Sequence, residues 1–426
     1  MILVDIENPV SEYVVASDVE SIANGTSSQY FALKSIKTLK KVFFESPSSL
    51  KFLGHYSFYQ CTLLKELDFS NCTSLENIGS FCFFECTGIE RITFPTQSKL
   101  EILDYACFCS MHSVESYSLP SSLRYINGNA SEFGCFRGFS GNELRFNEGL
   151  LSIGPCACIY IRCHYVYLPS SLIELDSSVL RCNDNLIEIF TGQSNACVVV
   201  NKALLSYDQT LLYAFPSLIS GTYYVPNTVQ IICTDAFCYS MLNEIILPDS
   251  CTELETLAFF HLRNLVFMKI PNSVVKVHDD SINDCPNLRN LTIEMERIPK
   301  LHYQSVEIMT LGNETKVIED YALINAVNLQ SIIIPPSVVK IGAEAFRGLK
   351  KLRCVRIYGQ PSIGSSAFKD TRISCGIDCY SSLIDPLMIS GVNSKSFNYC
   401  CMTAVVQNAV CFRSLLDFQC LVFNIV

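Results

Sequence analysis

Cysteine is the residue type with the most chemistry to offer in this chain, with 23 copies in 426 residues. A thiolate can act as nucleophile, metal ligand or half of a disulfide. The tightest groupings are Cys107-x-Cys109, Cys156-x-Cys158, Cys375-x-x-x-Cys379 and the adjacent Cys400-Cys401. Zinc sites draw on two spaced pairs or on a Cys/His set. No such spacing occurs, and no metal is expected. Many of the cysteines fall inside apolar runs, where a free thiol behaves as a small hydrophobe. A chain of this size can build a core without staples, which favours reduced core thiols over a disulfide framework. The six histidines, at 55, 112, 164, 261, 278 and 302, stand singly. None forms a His-Glu-x-x-His motif, and no Gly-x-Ser-x-Gly elbow or phosphate-binding glycine loop accompanies them. The expectation is a non-enzyme with no catalytic residue and no cofactor. An enzyme with no recognisable motif is kept as a reading of another class, because triads are defined by geometry rather than order.

Composition narrows the partners. Hydrophobic residues make up 49% and charged residues 17%, so a large continuous core is expected, with Ser, Asn and Thr supplying much of the surface polarity. The net charge of −10 argues against nucleic acid, whose binding needs a basic footprint. The opening MILVDIENPV has no basic segment ahead of its apolar residues, so no secretory signal is read there. No clear membrane span is read either. The nearest candidate, 400–426, is interrupted by Gln407, Asn408, Arg413 and Asp417.

The elements that would position any site come from a repeat. Between Leu329 and Phe368 one phrase occurs twice: Leu-x-x-Ile-x-Ile, a turn, Ile-Gly, then Ala-Phe. Phe346 and Phe368 mark a unit of 22 residues. The same anchor is read at Phe58, Phe83, Phe108, Phe136, Cys158, Val179, Phe237, Phe259, Ile282 and Leu323. Successive steps from Phe58 to Val179 are 25, 25, 28, 22 and 21 residues. Each unit predicts a strand with alternate residues inward, a turn often carrying Pro, a second apolar pair, and a ring filling the interior. Residues three positions after the ring, such as Cys61, Cys86, Met111, Cys182, Cys285, Ala326 and Leu349, are assigned to the core. No unit can bury its apolar face alone, so neighbours must stack as a solenoid. The boundaries are an N-terminal cap at 1–35, the repeats at 36–380 with an inserted hairpin at about 196–216, and a C-terminal cap or tail at 381–426. The hairpin is read from two apolar runs around Asp208-Gln209.

The phrase Leu-x-x-Ile-x-Ile-Pro-x-Ser-Val-x-x-Ile-Gly-x-x-Ala-Phe-x-x-Cys resembles the BspA-type (Treponema pallidum-type) leucine-rich repeat. The segment NKALLSYDQTLLYAFP followed by GTYYVPNTV is similar to one found in the trichomonad branch of that family. The resemblance covers about residues 35 to 380. It implies a leucine-rich-repeat solenoid of 22–25 residues per turn, a parallel β-sheet on the concave face, and a convex side of irregular turns or short helices. It also implies a surface or adhesion protein that binds host or matrix proteins. The alternatives are an intracellular interaction scaffold binding an own-cell protein, and a cytoplasmic rather than surface address.

Strand phase then selects candidate contact residues. One outward residue lies between the two inward residues of each strand, giving Asp68, Thr93, Ser118, Arg145, Tyr167, Phe190, Tyr224, Ile246, Lys269, Thr292, Thr310, Ile333 and Arg356. The middle of this row is apolar and aromatic, at Tyr167, Phe190, Tyr224 and Ile246, and Arg145 and Lys269 flank it. Aromatic residues inside a polar rim have the composition of a protein-binding hot spot. These six are the candidate binding residues.

Overall fold

The computed structural model describes residues 2–3, 11–24, 37–130, 132–373 and 377–378, with side chains for all of these except 2–3 and 377–378. The C-terminal cap or tail assigned to 381–426 lies outside the described residues. The chain is a β-solenoid of stacked coils, and no helix occurs among the described residues. Of the two convex-side expectations, the turn holds.

One coil shows how the sequence builds the others. Ser331–Ile334 is a strand whose Ile332 and Ile334 point inward and whose Ile333 is exposed. Pro335 follows and cannot extend the ladder, so the chain turns. Lys340–Ile341 then forms a short second strand, and a corner places the Phe346 ring in the core. The next coil repeats this path in register: Ile332 pairs with Val355, and Ile341 with Ile363, both in parallel. Gly342 and Gly364 are needed where coils come closest. A Cβ on Gly364 would lie 2.4 Å from the backbone N of Ala343.

The corner has a backbone signature that the composition hides. Residues two before and two after the ring adopt left-handed φ: Tyr56 and Gln60 around Phe58, Phe81 and Glu85 around Phe83, Asp235 and Tyr239 around Phe237. Few of these positions are glycine, so the strain is met by ordinary residues. Ladder bonds between corners offset it, as in Phe83 N donating to Cys107 O at 2.9 Å.

The described residues divide into two compact units. The first comprises those of Met1–Ser220, Thr228–Met241 and Leu257–Phe259. It holds a parallel sheet of eight short strands ending in Ser152–Ile153 and Glu174–Leu175, and a parallel sheet made of Glu143–Arg145, Tyr165–Leu168 and Glu188–Thr191. No strand forms at 116–118, so Ser118 lies in irregular chain. The rings of Phe58, Phe83 and Phe108 stack in the core with centroids 5.0 and 5.9 Å apart. The corner ladder also revises two anchors. Cys158 N donates to Val179 O, which makes Leu180, not Val179, the residue in the ring position. Phe215 N donates to Ala236 O, and its ring lies 5.4 Å from Phe237, so Phe215 is an anchor absent from the sequence reading. Between them, Cys197–Val200, Ala203–Ser206 and Leu211–Ala214 form an antiparallel meander of three strands.

The second unit comprises the described residues of Gly221–Asn227, Leu242–Thr256 and those from Phe260 onward. Its main sheet has eight parallel strands from Gly221–Tyr224 to Ile377–Asp378. A second ladder joins Arg297–Ile298, Val317–Ile318, Lys340–Ile341 and Ser362–Ile363.

Sixteen of the described cysteines are buried and outside any disulfide. Cys61, Cys86 and Cys285 are among them, as their core assignment requires. Cys182 is buried too, but with Leu180 as the anchor it sits two residues after the ring, at the left-handed corner. Cys354 is the exception and is disulfide-bonded.

Candidate binding face

Parallel pairing brings outward side chains of successive coils to one level. In the first unit Arg145 pairs with Tyr167, and Tyr167 with Phe190. Behind them Leu144, Val166 and Ile189 are buried, which fixes the strands and aims the alternate residues outward. The Tyr167 and Phe190 rings stack with centroids 4.5 Å apart and planes 8° from parallel. The Arg145 guanidinium carbon lies 3.5 Å from the Tyr167 ring centroid. Glu143 holds that guanidinium from the side: Arg145 Nε donates to Oε1 at 2.6 Å, and Nη2 to Oε2 at 2.9 Å. These bonds keep the Glu143 carboxyl below its ordinary range and raise the Arg145 guanidinium above its own. Both groups therefore stay charged at any physiological pH.

The result is an outward stack of an exposed cation, a half-buried phenol and an exposed phenyl, with a carboxylate at its edge. Its rotamers are set before any ligand arrives, because each member rests on the next. Ordering such side chains on binding costs little. Tyr165 belongs to the same face and was missed by counting one outward residue per strand. It is half-buried, and its ring centroid is 6.3 Å from that of Phe190. The two-residue period that selected Tyr167 also selects Tyr165.

The other three candidates belong to the second unit. Tyr224 pairs with Ile246, and Ile246 with Lys269. Tyr224 is 68% exposed and Ile246 is half-buried. Lys269 Nζ is bound to Glu294 Oε2 at 2.9 Å. The six candidates thus form two groups in two different sheets, Arg145–Tyr167–Phe190 and Tyr224–Ile246–Lys269. Every member of the outward row is at least partly exposed, from Asp68 to Arg356. Among the described residues one group of three metal-type donors converges, Cys182, Asp235 and Cys238. It lies in the corners around Leu180 and Phe237, away from the strands of this face.

Comparison with known proteins agrees with this architecture. No curated protein sequence matches the chain. Several solved structures share its fold. A leucine-rich repeat protein from Bacteroides ovatus is 21% identical, with a TM-score of 0.63 over 82% of this chain and 88% of its own. One from Eubacterium ventriosum is 16% identical, with a TM-score of 0.58 over 85% and 91%. A leucine-rich cell surface protein from Faecalibacterium prausnitzii is 18% identical, with a TM-score of 0.58 over 83% and 89%. The family described as BspA type Leucine rich repeat region matches residues 26–134, 132–206, 212–305 and 301–402. With most of its length matched and its coils stacked in parallel, the chain belongs to the BspA-type leucine-rich-repeat family.

Proposed function

We propose that the chain is a non-enzymatic protein-binding scaffold and that the Arg145–Tyr167–Phe190 stack is the centre of its contact surface. The observation that carries this reading is the pre-set stack of the half-buried Tyr167 ring and the exposed Phe190 ring at 4.5 Å, capped by a guanidinium. Tyr and Arg are the residue types that dominate binding energy at protein interfaces, and a rigid exposed pair offers area at low entropic cost. A hydrolase or transferase would need converging nucleophile, base and oxyanion donors. This face offers none of those roles.

The relative from Faecalibacterium prausnitzii is described as a cell surface protein. By the family resemblance the partner is read as a host or matrix protein met outside the cell. An own-cell protein is the alternative, and antibody staining of intact against permeabilised cells separates the two. No helix among the described residues is long and apolar enough to cross a membrane.

The direct test is capture of protein from a matrix extract and from an own-cell lysate, using the full chain and a Tyr167→Ala/Phe190→Ala variant. The full chain should retain a partner, and the variant should lose at least tenfold of that binding with its melting curve nearly unchanged. Equal retention by both chains sinks the proposal. So does a collapse of the variant's melting temperature, which would make the two rings core residues.

A further inference from the structure

The corners at Leu180 and Phe237 bring together residues 56 positions apart. Cys182 Sγ and Cys238 Sγ lie 3.5 Å from one another. A carboxylate oxygen of Asp235 joins them, and the three donor atoms fall within 4.8 Å of each other. All three residues are buried, and no other group of three such donors converges among the described residues.

Two features separate this cluster from ordinary core packing. The first is the carboxylate. Asp235 is 4% exposed, and Arg181 Nε donates to its Oδ2, while its Oδ1 has no hydrogen-bond partner. Arg181 and the Cys182 thiol offset only part of the cost of burying this carboxylate, and Oδ1 is left with no well-formed hydrogen bond. The second is the convergence of that carboxylate on a thiol pair. Cys182 and Cys238 share a thiol hydrogen bond at 3.5 Å, much as Cys107 and Cys135 do at 3.3 Å, but among the described residues a carboxylate donor joins the first pair alone. The spacing is compatible with the ~3.8 Å edge made by two zinc–sulfur bonds of ~2.3 Å at the tetrahedral angle.

We propose that Cys182, Cys238 and Asp235 are the three protein ligands of a zinc-class divalent ion, with water at the fourth position. Two thiolates and one carboxylate carry three negative charges, and the ion with the Arg181 guanidinium carries three positive. The occupied site is neutral. The empty site is neutral too, with both thiols protonated and Arg181 paired to Asp235. Binding is therefore an exchange of two thiol protons for one dication. Arg181 on Oδ2 is the outer partner that orients the carboxylate and leaves Oδ1 for the ion. Two thiolates favour zinc over magnesium or calcium.

Cys182 also lines a cavity of about 340 Å³ with Tyr160, Arg162, Asp184 and Tyr239, which brings open space to one of the three proposed ligands. Cys182 precedes the meander at 197–214, and Asp235 and Cys238 follow it. An ion here ties the chain on either side of that insertion. Spacing rules could not find the site, because its ligands come from separate coils.

The test uses the full chain, reduced and freed of metal, titrated with Co2+ and then Zn2+. A thiolate-to-cobalt charge-transfer band should saturate near about one equivalent and disappear as zinc displaces cobalt. About two protons should be released per ion, and zinc should raise the melting temperature. X-ray absorption of the zinc form should find two sulfur and two lighter ligands. Cys238→Ala and Asp235→Asn should each weaken binding at least tenfold. Cys107→Ala should leave it unchanged, because Cys107 faces Cys135 at 3.3 Å outside this cluster. No band, a sulfur count other than two, or undiminished binding in Cys238→Ala overturns the proposal. A Cys182–Cys238 disulfide in the unreduced chain, with no cobalt band after reduction, overturns it in favour of a redox pair. The absorption measurement is made on the unaltered chain, so a variant that fails to fold does not remove the test.

Discussion

Phe346 and Phe368 lie with ring centroids 4.7 Å apart and planes 5° from parallel. Both are fully buried. Each ring is therefore half of its neighbour's packing surface, and removing one opens a cavity that the next coil cannot fill. Phe346→Ala should cost about 3–5 kcal/mol. In a stack whose coils contact only their neighbours, that loss should be local first. Amide exchange should accelerate most strongly at Ile341, Leu352 and Val355. Uniform acceleration across both units would mean that the coils do not behave as nearest-neighbour repeats.

Arg145 tests whether the Arg145–Tyr167–Phe190 stack works through its charge or only through its rings. Its side chain rests on Tyr167 and Glu143 and fills no interior space. Arg145→Ala should leave the melting curve within a degree or two of the parent, at roughly the level of an ordinary surface substitution. Binding of the captured partner should weaken by about tenfold, the order expected for an interface arginine. Measured affinity equal to the parent's would confine the contact to Tyr167, Phe190 and their neighbours.

The buried thiols predict an alkaline limit to stability. Burial pushes Cys82 and Cys251 up to about 12, and Cys109 to about 11. An unfolded thiol titrates near about 8.5. Below that pH both states hold the proton, and pH has no effect through these groups. Above it the unfolded chain releases protons that the folded chain keeps, so stability falls until the folded thiols also ionise. Each such thiol removes roughly 1.4 kcal/mol per pH unit in that window. Urea midpoints under reductant should be flat between about pH 7 and 8 and should drop steeply between about pH 9 and 10. A midpoint unchanged at about pH 10 would show that these thiols are hydrated in the folded state.

Much of this architecture was legible because each coil must bury the same positions. Leu67, Phe69, Phe83 and Ile341 are inward by strand phase or by anchor, and all are fully buried. The failures cluster where the period breaks. Val179 and Leu180 are adjacent and both buried, so hydrophobicity could not choose between them, and only the corner ladder does. Phe215 was hidden because the meander before it shifts the count. The left-handed corners carry Tyr, Gln, Phe and Glu rather than Gly, so no turn residue announces them. The outward row is at least partly exposed throughout, but its division between two sheets follows from strand pairing across the insertion. Sequence spacing says nothing about that pairing.

The meander offers a prediction that depends on backbone alone. Val200 pairs with Ala203, which leaves Asn201 and Lys202 as a two-residue hairpin turn with φ of 48° and 76°. Two left-handed residues in succession define the turn whose twist suits a hairpin, and Asn-Gly is its preferred sequence. Asn201 tolerates the left-handed region, whereas Lys202 meets steric strain between its Cβ and backbone. Lys202 is exposed, so its side chain has no core contact to lose. Lys202→Gly removes the strain but adds freedom to the unfolded chain, and the two effects oppose. The strain of about 1–2 kcal/mol exceeds the entropy term of about 0.5–1 kcal/mol. The variant should therefore be more stable by several tenths of a kcal/mol to about 1 kcal/mol. Lys202→Val, with a branched Cβ in the same region, should be less stable than the parent. Thermal melts of the three chains should rank Gly above Lys above Val, and the reverse order would mean that the turn is not of this type in solution.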